Sequence, residues 1–405
     1  MNIAETATEQ TETSATLAET TSTPEVDYNI KSWMDLELKS DILRGIYAIG
    51  FENPSAIQKK AIYPILQKHD VIGQAQSGTG KTGTFSISAL QTVDLTVKQV
   101  QVMIVVPTHE LVLQIYSVIE KIGQFMEGLL VKTLIGGTSI NEDMYCLRQE
   151  TPHIVVGCTG RIYDMIRRKA LNPNHIQLCI LDEADEMLSR GFSEQIYDIF
   201  QCLPYSVQIA LFSATMPPPI LKLTEKFMRN PVKIMMKPEE LNLEGINQFY
   251  LAMANDGSKY STLKSLFEQL TITQTIIYVN SVVRVSELFE AMTEEGFSVC
   301  AIHSNMKKEE RYDVIEKFRN GVYRVLISSN ITARGLDVQQ VSTVINFDIP
   351  KSPETYLHRI GRSGRWGRKG TAINFVTKHD VMYMRNIEKH YGVDIRELPD
   401  DYVFN

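Results

Sequence analysis

The 405-residue chain has no apolar run approaching the roughly 20 residues a membrane-spanning helix needs. Its first residues are rich in Thr, Glu, Ala and Ser and lack both the basic and the apolar stretch of a secretory leader. A soluble intracellular protein is expected, cytoplasmic, with the nucleus left open because no basic import cluster is evident. Cysteine is scarce: Cys146, Cys158, Cys179, Cys202 and Cys300 include no C-x-x-C pair, so neither a zinc site nor a disulfide framework is indicated. A basic excess is lacking too. With 41 Lys and Arg against 48 Asp and Glu, the net charge is −7, so bulk charge cannot hold nucleic acid and any such site has to be a local groove. Nothing after Lys369 supplies a basic tail or Arg-Gly repeats.

What is present is an ordinary globular composition, 43% hydrophobic and 22% charged, in a chain too long for one core. Residues 1–27 carry almost no large apolar side chains and are expected to be disordered. From Tyr28 the pattern turns αβ, with helical periodicity over Asp41 to Ile49. Strands are expected at Asp70 to Ala75, Val102 to Val106, Val131 to Ile135, Ile154 to Gly157, Leu178 to Asp182 and Gln208 to Ser213. A charged, proline-bearing stretch at 236–244 reads as a linker. A second series follows at Asn247 to Ala252, Thr275 to Val279, Val299 to Ile302, Arg324 to Ser328, Thr343 to Phe347 and Thr371 to Val376. Continuous apolar runs of this kind fit parallel sheets covered on both faces. The fold class expected is therefore α/β, two tandem domains at 28–235 and 245–405 with a cleft between them.

Chemistry concentrates at two places in the first half. Ala75-Gln-Ser-Gly-Thr-Gly-Lys-Thr82 lies between an apolar strand and a helix, the context in which a Gly-rich loop cradles phosphates. Backbone N–H groups of Ala75, Gln76, Ser77, Gly78, Thr79 and Gly80, the ammonium of Lys81 and the hydroxyl of Thr82 suit a triphosphate with Mg²⁺. Its first position is Ala75 where the general pattern has Gly, so alone the loop could be a turn. The strand ending in Asp182-Glu183 removes that doubt, because it offers one carboxylate to the metal, through water, and the next to an attacking water. The set is that of a nucleoside triphosphatase.

Asp182-Glu-Ala-Asp185 is the motif that names the DEAD-box RNA helicases, and from Trp33 onward the chain resembles that family. Leu43-Arg-Gly-Ile-Tyr-Ala-Ile-Gly-Phe-Glu-Asn-Pro-Ser-Ala-Ile-Gln58, Asp182-Glu-Ala-Asp-Glu-Met-Leu-Ser-Arg-Gly-Phe192 and Asp337-Val-Gln-Gln-Val341 are similar to its branch of translation-initiation helicases and their exon-junction sister. The resemblance implies two RecA-like domains and RNA-stimulated ATP hydrolysis with local, non-processive unwinding. Gly50, Phe51, Pro54 and Gln58 match the Q motif, in which Gln58 reads adenine and Phe51 stacks on it; Trp33 stands where the family has Phe. Ser213-Ala-Thr215 matches the motif coupling hydrolysis to RNA. In Arg334-Gly-Leu-Asp337 and His358-Arg-Ile-Gly-Arg-Ser-Gly-Arg365, Asp337 is assigned to ribose, His358 to coupling with the first domain, and Arg362 and Arg365 to the γ-phosphate as arginine fingers.

RNA contacts are implied at Pro107, Thr108, Gly136, Gly137, Thr159, Gly160, Arg161, Arg319, Gly321 and Ser329. Four departures fall on this side. Pro107-Thr-His-Glu-Leu111 has His109 for Arg, Cys158-Thr-Gly-Arg161 lacks a hydroxyl and a proline, and His303-Ser-Asn305 and Ser329-Asn330 each replace Asp by Asn. Preserved ATP binding with altered RNA affinity or coupling is the expectation. Partners implied are single-stranded or duplex RNA, ATP, and a helical-repeat translation-initiation scaffold, with the chain itself a monomer and no membrane. An ATP-gated RNA clamp or regulatory decoy with little turnover is the competing reading, and a DNA helicase a weaker third.

Overall fold

The computed structural model describes residues 28, 30–75, 79–189, 191–216, 218–235, 246–269, 274–330, 341–363 and 370–399. The proposed tail 1–27 and linker 236–244 lie outside these, as do Gln76, Ser77, Gly78, Asp337 and Arg365. Two sheets of seven parallel strands carry the fold. The first contains β1 Val71–Gln74, β2 Val102–Val106, β3 Val131–Leu134, β4 Ile154–Cys158, β5 Leu178–Asp182, β6 Gln208–Ser213 and β7 Val232–Met235, in the order β3-β4-β2-β5-β6-β1-β7. The second contains β8 Ile246–Met253, β9 Thr275–Tyr278, β10 Val299–Ile302, β11 Val325–Ser328, β12 Thr343–Asn346, β13 Gly370–Thr377 and β14 Arg396–Glu397, in the order β10-β11-β9-β12-β13-β8-β14.

Why these runs become central strands follows from their alternation. Val102, Ile104 and Val106 enter one apolar cluster with Trp33, Ile42, Ile57 and Phe85, while Met103 and Val105 enter a second with Cys179, Leu181 and Ile199. Both faces are covered by helices, so every residue of β2, β5 and β6 is buried. Expected and observed strands agree to within a residue at either end. Two strands escaped the sequence reading. At β7, Lys233 and Met235 are exposed on a sheet edge, which breaks the apolar run, and β14 is only two exposed residues long.

Register places the chemistry. Gln74 of β1 is level with Ser213 of β6, and Asp182 of β5 with Phe212 of β6. The phosphate-loop segment, the acidic pair and Ser213-Ala-Thr215 therefore leave the sheet side by side at the carboxyl ends of adjacent strands, where open α/β sheets bind ligands. The two halves touch across this edge. Ala214 joins the apolar cluster of the second half, with Ile246, Ile349, Tyr356 and Ile360.

Candidate functional site

The helix Lys81–Thr92 starts from Gly80, whose φ of 107° lies in the left-handed region that glycine reaches without strain. Its first residue, Lys81, is 5% exposed and points at the acidic pair, with Nζ 3.5 Å from Glu183 Oε1 and 4.0 Å from Asp182 Oδ1. Burial by itself would lower the Lys81 ammonium, but the carboxylates of Glu183, Asp182 and Asp185 outweigh it and raise its pKa. Burial likewise pushes Asp182 up to about 7, against the pull of Lys81. Asp182 Oδ1 is buried and, among the described residues, accepts no hydrogen bond. A carboxylate oxygen so placed, beside a helix that begins Lys81-Thr82, suits a divalent cation. Glu183 sits at φ 54°, a left-handed conformation that costs a non-glycine residue about 1 kcal/mol and turns the chain sharply at the end of β5.

One residue further, Asp185 is a junction. Its Oδ2 accepts from Thr215 Oγ1 at 2.7 Å and lies 3.3 Å from Nε2 of His358, which comes from the second half. Its backbone N–H donates to Ser213 Oγ at 3.3 Å. Thus Thr215 and His358, far apart in sequence, meet on the Asp185 carboxylate, while Ser213 holds the backbone of the same residue. Arg362, also buried, donates from Nε to the His358 carbonyl at 3.3 Å, so it leaves the same helix end.

The Q-motif residues lie over the start of the phosphate-loop helix. Gln58 Oε1 accepts from the Ser55 N–H at 2.6 Å, and its Nε2 donates to Gly80 O at 3.4 Å. Trp33, fully buried, donates from Nε1 to the Phe51 carbonyl at 3.0 Å and so fixes that ring's backbone. A Cβ on Gly83 would lie 2.6 Å from Gln58 Nε2 and 3.3 Å from the Phe51 ring. Glycine at this position lets both side chains lie down on the helix.

On the opposite side, Thr108 caps the helix His109–Gly123 by accepting from the Leu111 N–H at 3.3 Å. The His109 ring lies beside Gly136, its Nε2 3.6 Å from where a Cβ there would begin. Arg161, expected at RNA, is 9% exposed, with Nη1 bonded to Asp143 and Nη2 donating to the Thr138 carbonyl at 3.0 Å. Its guanidinium braces the loop after Gly136-Gly137. Lys132 reaches the same Asp143 at 3.2 Å. Thr159 is buried and Gly160 exposed at the start of their helix, while Arg319 and Gly321 are exposed at the end of the helix Lys308–Arg319. Ser329 is half-buried beside Asn330, whose Oδ1 accepts from Arg359 Nε at 2.9 Å. Sequence reasoning missed a second contact between the halves: Arg311 Nη1 to Glu110 Oε1, at 3.2 Å. Glu110 lies within the Pro107–Leu111 motif, but nothing in the local pattern pairs it with Arg311.

Comparison with known proteins bears on the whole chain. The DEAD/DEAH box helicase family matches residues 55–223, and the helicase conserved C-terminal domain matches 258–367. The chain belongs to the DEAD/DEAH box helicase family. An "ATP-dependent RNA helicase eIF4A" of Pyricularia oryzae is 53% identical over 373 residues, covering 92% of this chain and 94% of the relative. Among solved structures, the Saccharomyces cerevisiae helicase Dbp5 bound to RNA and ADP BeF3 is 34% identical, with a TM-score of 0.85 over 92% of this chain and 96% of that one. A variant of the same yeast protein bound to nup159, gle1, ip6 and ADP reaches only 0.66 at 32% identity, covering 90% and 96%. At nearly equal identity, the arrangement of this DEAD-box chain follows the structure that holds RNA together with a triphosphate mimic. Among the described residues, no helix is long and apolar enough to cross a membrane.

Proposed function

We propose that the chain is an ATP-dependent RNA helicase of translation initiation, which hydrolyses ATP when RNA and nucleotide close its two halves and separates short duplexes locally. The observation that carries this reading is the junction at Asp185, where Thr215 of the first half and His358 of the second meet on one carboxylate. A triphosphate lies along the segment 75–82 with Lys81 on its phosphates, and Gln58 and Phe51 take the adenine. Thr82 and Asp182 would hold Mg²⁺, which would supply positive charge to offset that of the phosphates. Glu183 positions the attacking water. Arg362, with Arg365 beyond the described residues, meets the charge that develops on the transferred phosphoryl group. Asp337 takes the ribose.

Single-stranded RNA runs across both halves at 107–109, 136–137, 159–161, 319–321 and 329, gripped by its backbone and so with little sequence preference. In this reading Arg161 serves RNA by bracing the loop at 136–139, in keeping with its bonds to Asp143 and Thr138. The chain works as a cytoplasmic monomer of two units, 28–235 and 245–405, joined by the linker 236–244 and directed to its substrate by a helical-repeat scaffold. A complete acidic pair and a buried Arg362 favour turnover over a clamp or decoy.

Steady-state ATP hydrolysis with Mg²⁺, measured with and without single-stranded RNA, tests the reading. RNA should stimulate turnover at least tenfold. Lys81→Ala should lose ATP binding, whereas Glu183→Gln should bind ATP and turn over about 100-fold or more slowly, the usual scale for losing a general-base group. A Glu183→Gln variant running at the wild-type rate would remove Glu183 from its role.

A further inference from the structure

We infer that a buried polar ladder through Asn346, Asn374 and Tyr356 positions the helix that carries His358 and leads into Arg362, making these three residues positioning groups for hydrolysis. The inference rests on the helicase function proposed above. It begins with Arg359, which neighbours His358 on the helix Pro353–Ile360 and is fully buried. Among the described residues, every direct hydrogen-bond partner of its guanidinium is neutral: Asn330 Oδ1, Asn280 Oδ1 at 2.7 Å, Asn346 Oδ1 at 3.1 Å and the Asp348 carbonyl at 2.7 Å. These groups sit at or just past the carboxyl ends of β9, β11 and β12, three strands adjacent in the sheet. The guanidinium also lies 5.2 Å over the Tyr278 ring.

From Arg359 the bonding continues sideways under the helix. Asn346 on β12 and Asn374 on β13 are register partners, and Asn346 Nδ2 donates to Asn374 Oδ1 at 2.8 Å. Asn374 Nδ2 in turn donates to the Phe249 carbonyl of β8 at 2.9 Å and lies 3.3 Å from the Tyr356 hydroxyl. That hydroxyl donates to Gln248 Oε1 at 3.0 Å. Tyr356 and Arg359 are three residues apart on one helix, hence on one face. The ladder therefore closes on itself, leaving the helix through Arg359, crossing β12 and β13, and returning through Tyr356. Asn346, Asn374 and Arg359 are fully buried and Tyr356 is 1% exposed.

Such a ladder does what an apolar contact cannot. Apolar side chains tolerate sliding and rotation at small cost, whereas displacing this helix by a fraction of a turn would strand several buried donors and acceptors at once. An eight-residue helix has little stability of its own, so its seat decides where it points. It points His358 at Asp185 and starts Arg362 from the same end. None of the three residues belongs to a motif visible in the sequence, since an Asn inside an apolar strand run carries no periodic signal.

The test compares Asn374→Leu, which removes the middle rung, with Tyr356→Phe, which removes one hydroxyl and keeps the ring's packing. Two readouts are taken: RNA-stimulated kcat and KM for ATP, and amide hydrogen exchange along the second half. Expected for Asn374→Leu is a kcat loss of about tenfold or more with KM for ATP within about twofold, and for Tyr356→Phe a smaller loss in the same direction. Exchange should rise at 354–360 while β9 and β12 stay protected. Unchanged kcat in both variants well below their melting temperatures overturns the inference, as does exchange that rises evenly over the whole second sheet, which would mean the ladder only holds the sheet together. A wild-type protein without RNA-stimulated turnover would instead defeat the helicase reading, and the exchange pattern would then decide the ladder alone.

Discussion

Gly83 sits one residue past Thr82, at the first turn of the phosphate-loop helix, where a methyl group would meet the Gln58 amide at 2.6 Å and the Phe51 ring at 3.3 Å. Gly83→Ala should therefore weaken ATP binding about tenfold, roughly the 1.4 kcal/mol of one disturbed hydrogen-bond pair, and erode the preference for ATP over GTP. Competition binding with the two nucleotides checks it; an intact preference would detach Gln58 and Phe51 from the base. His109 offers a second test, because its imidazole lies beside Gly136 where the family motif has Arg. His109→Arg should tighten RNA binding and steepen its salt dependence by about one unit in log K against log salt, the slope of one added phosphate contact. An unchanged slope would place His109 off the RNA path. At this scale the sequence was legible wherever chemistry demands a fixed spacing, as in Lys81-Thr82 and Asp182-Glu183. It was silent on pairings made by folding alone, such as Arg161 with Asp143 or Asn346 with Asn374, because residues of these types are common and their partners distant.

Strands and helices carry the site by where they end. The expected strands were legible because Val102–Val106, Leu178–Asp182 and Gln208–Ser213 are buried on both faces and so uniformly apolar. Edge strand β7 was not, since exposure relaxes that demand. The beginnings of the strands are tied by His153, a buried residue whose Nδ1 accepts from the Leu130 N–H at 3.1 Å, while its carbonyl accepts from Gln101 N–H at 2.8 Å. Burial holds this imidazole below its ordinary value of 6.5. A base depressed in the folded state takes up protons more readily when unfolded, so its contribution to stability is complete above pH 6.5 and is lost as pH falls from there toward the folded value. His153→Asn keeps an acceptor for Leu130 and removes the titration. The drop in melting temperature between pH 8 and pH 5 should be smaller in the variant than in the wild type; an equal drop would show that other groups set the acid slope.

For the molecule as a whole, the decisive feature is that the halves meet over the site proposed for the triphosphate. Among the described residues, three kinds of contact join them: the Asp185–His358 junction, the Glu110–Arg311 ion pair and the apolar seat of Ala214. Two tandem αβ units were readable from the repeat of strand patterns in the two halves. Their mutual placement was not, since it depends on residues that touch only across the cleft. Arg311→Glu sets two carboxylates against each other and should cost closure about 1 kcal/mol, seen as RNA affinity several-fold weaker in the presence of an ATP analogue. Adding Glu110→Arg should restore it, and failure of the double variant to recover would mean that the pair does not act in closure. If closure is what couples the ligands, the coupling must be reciprocal. The measurement that tests this most directly is the affinity for single-stranded RNA with and without a non-hydrolysable ATP analogue, set beside the affinity for that analogue with and without RNA. The account predicts that each ligand strengthens the other by the same factor, tenfold or more, and that His358→Ala reduces both equally; RNA binding indifferent to the nucleotide would contradict it.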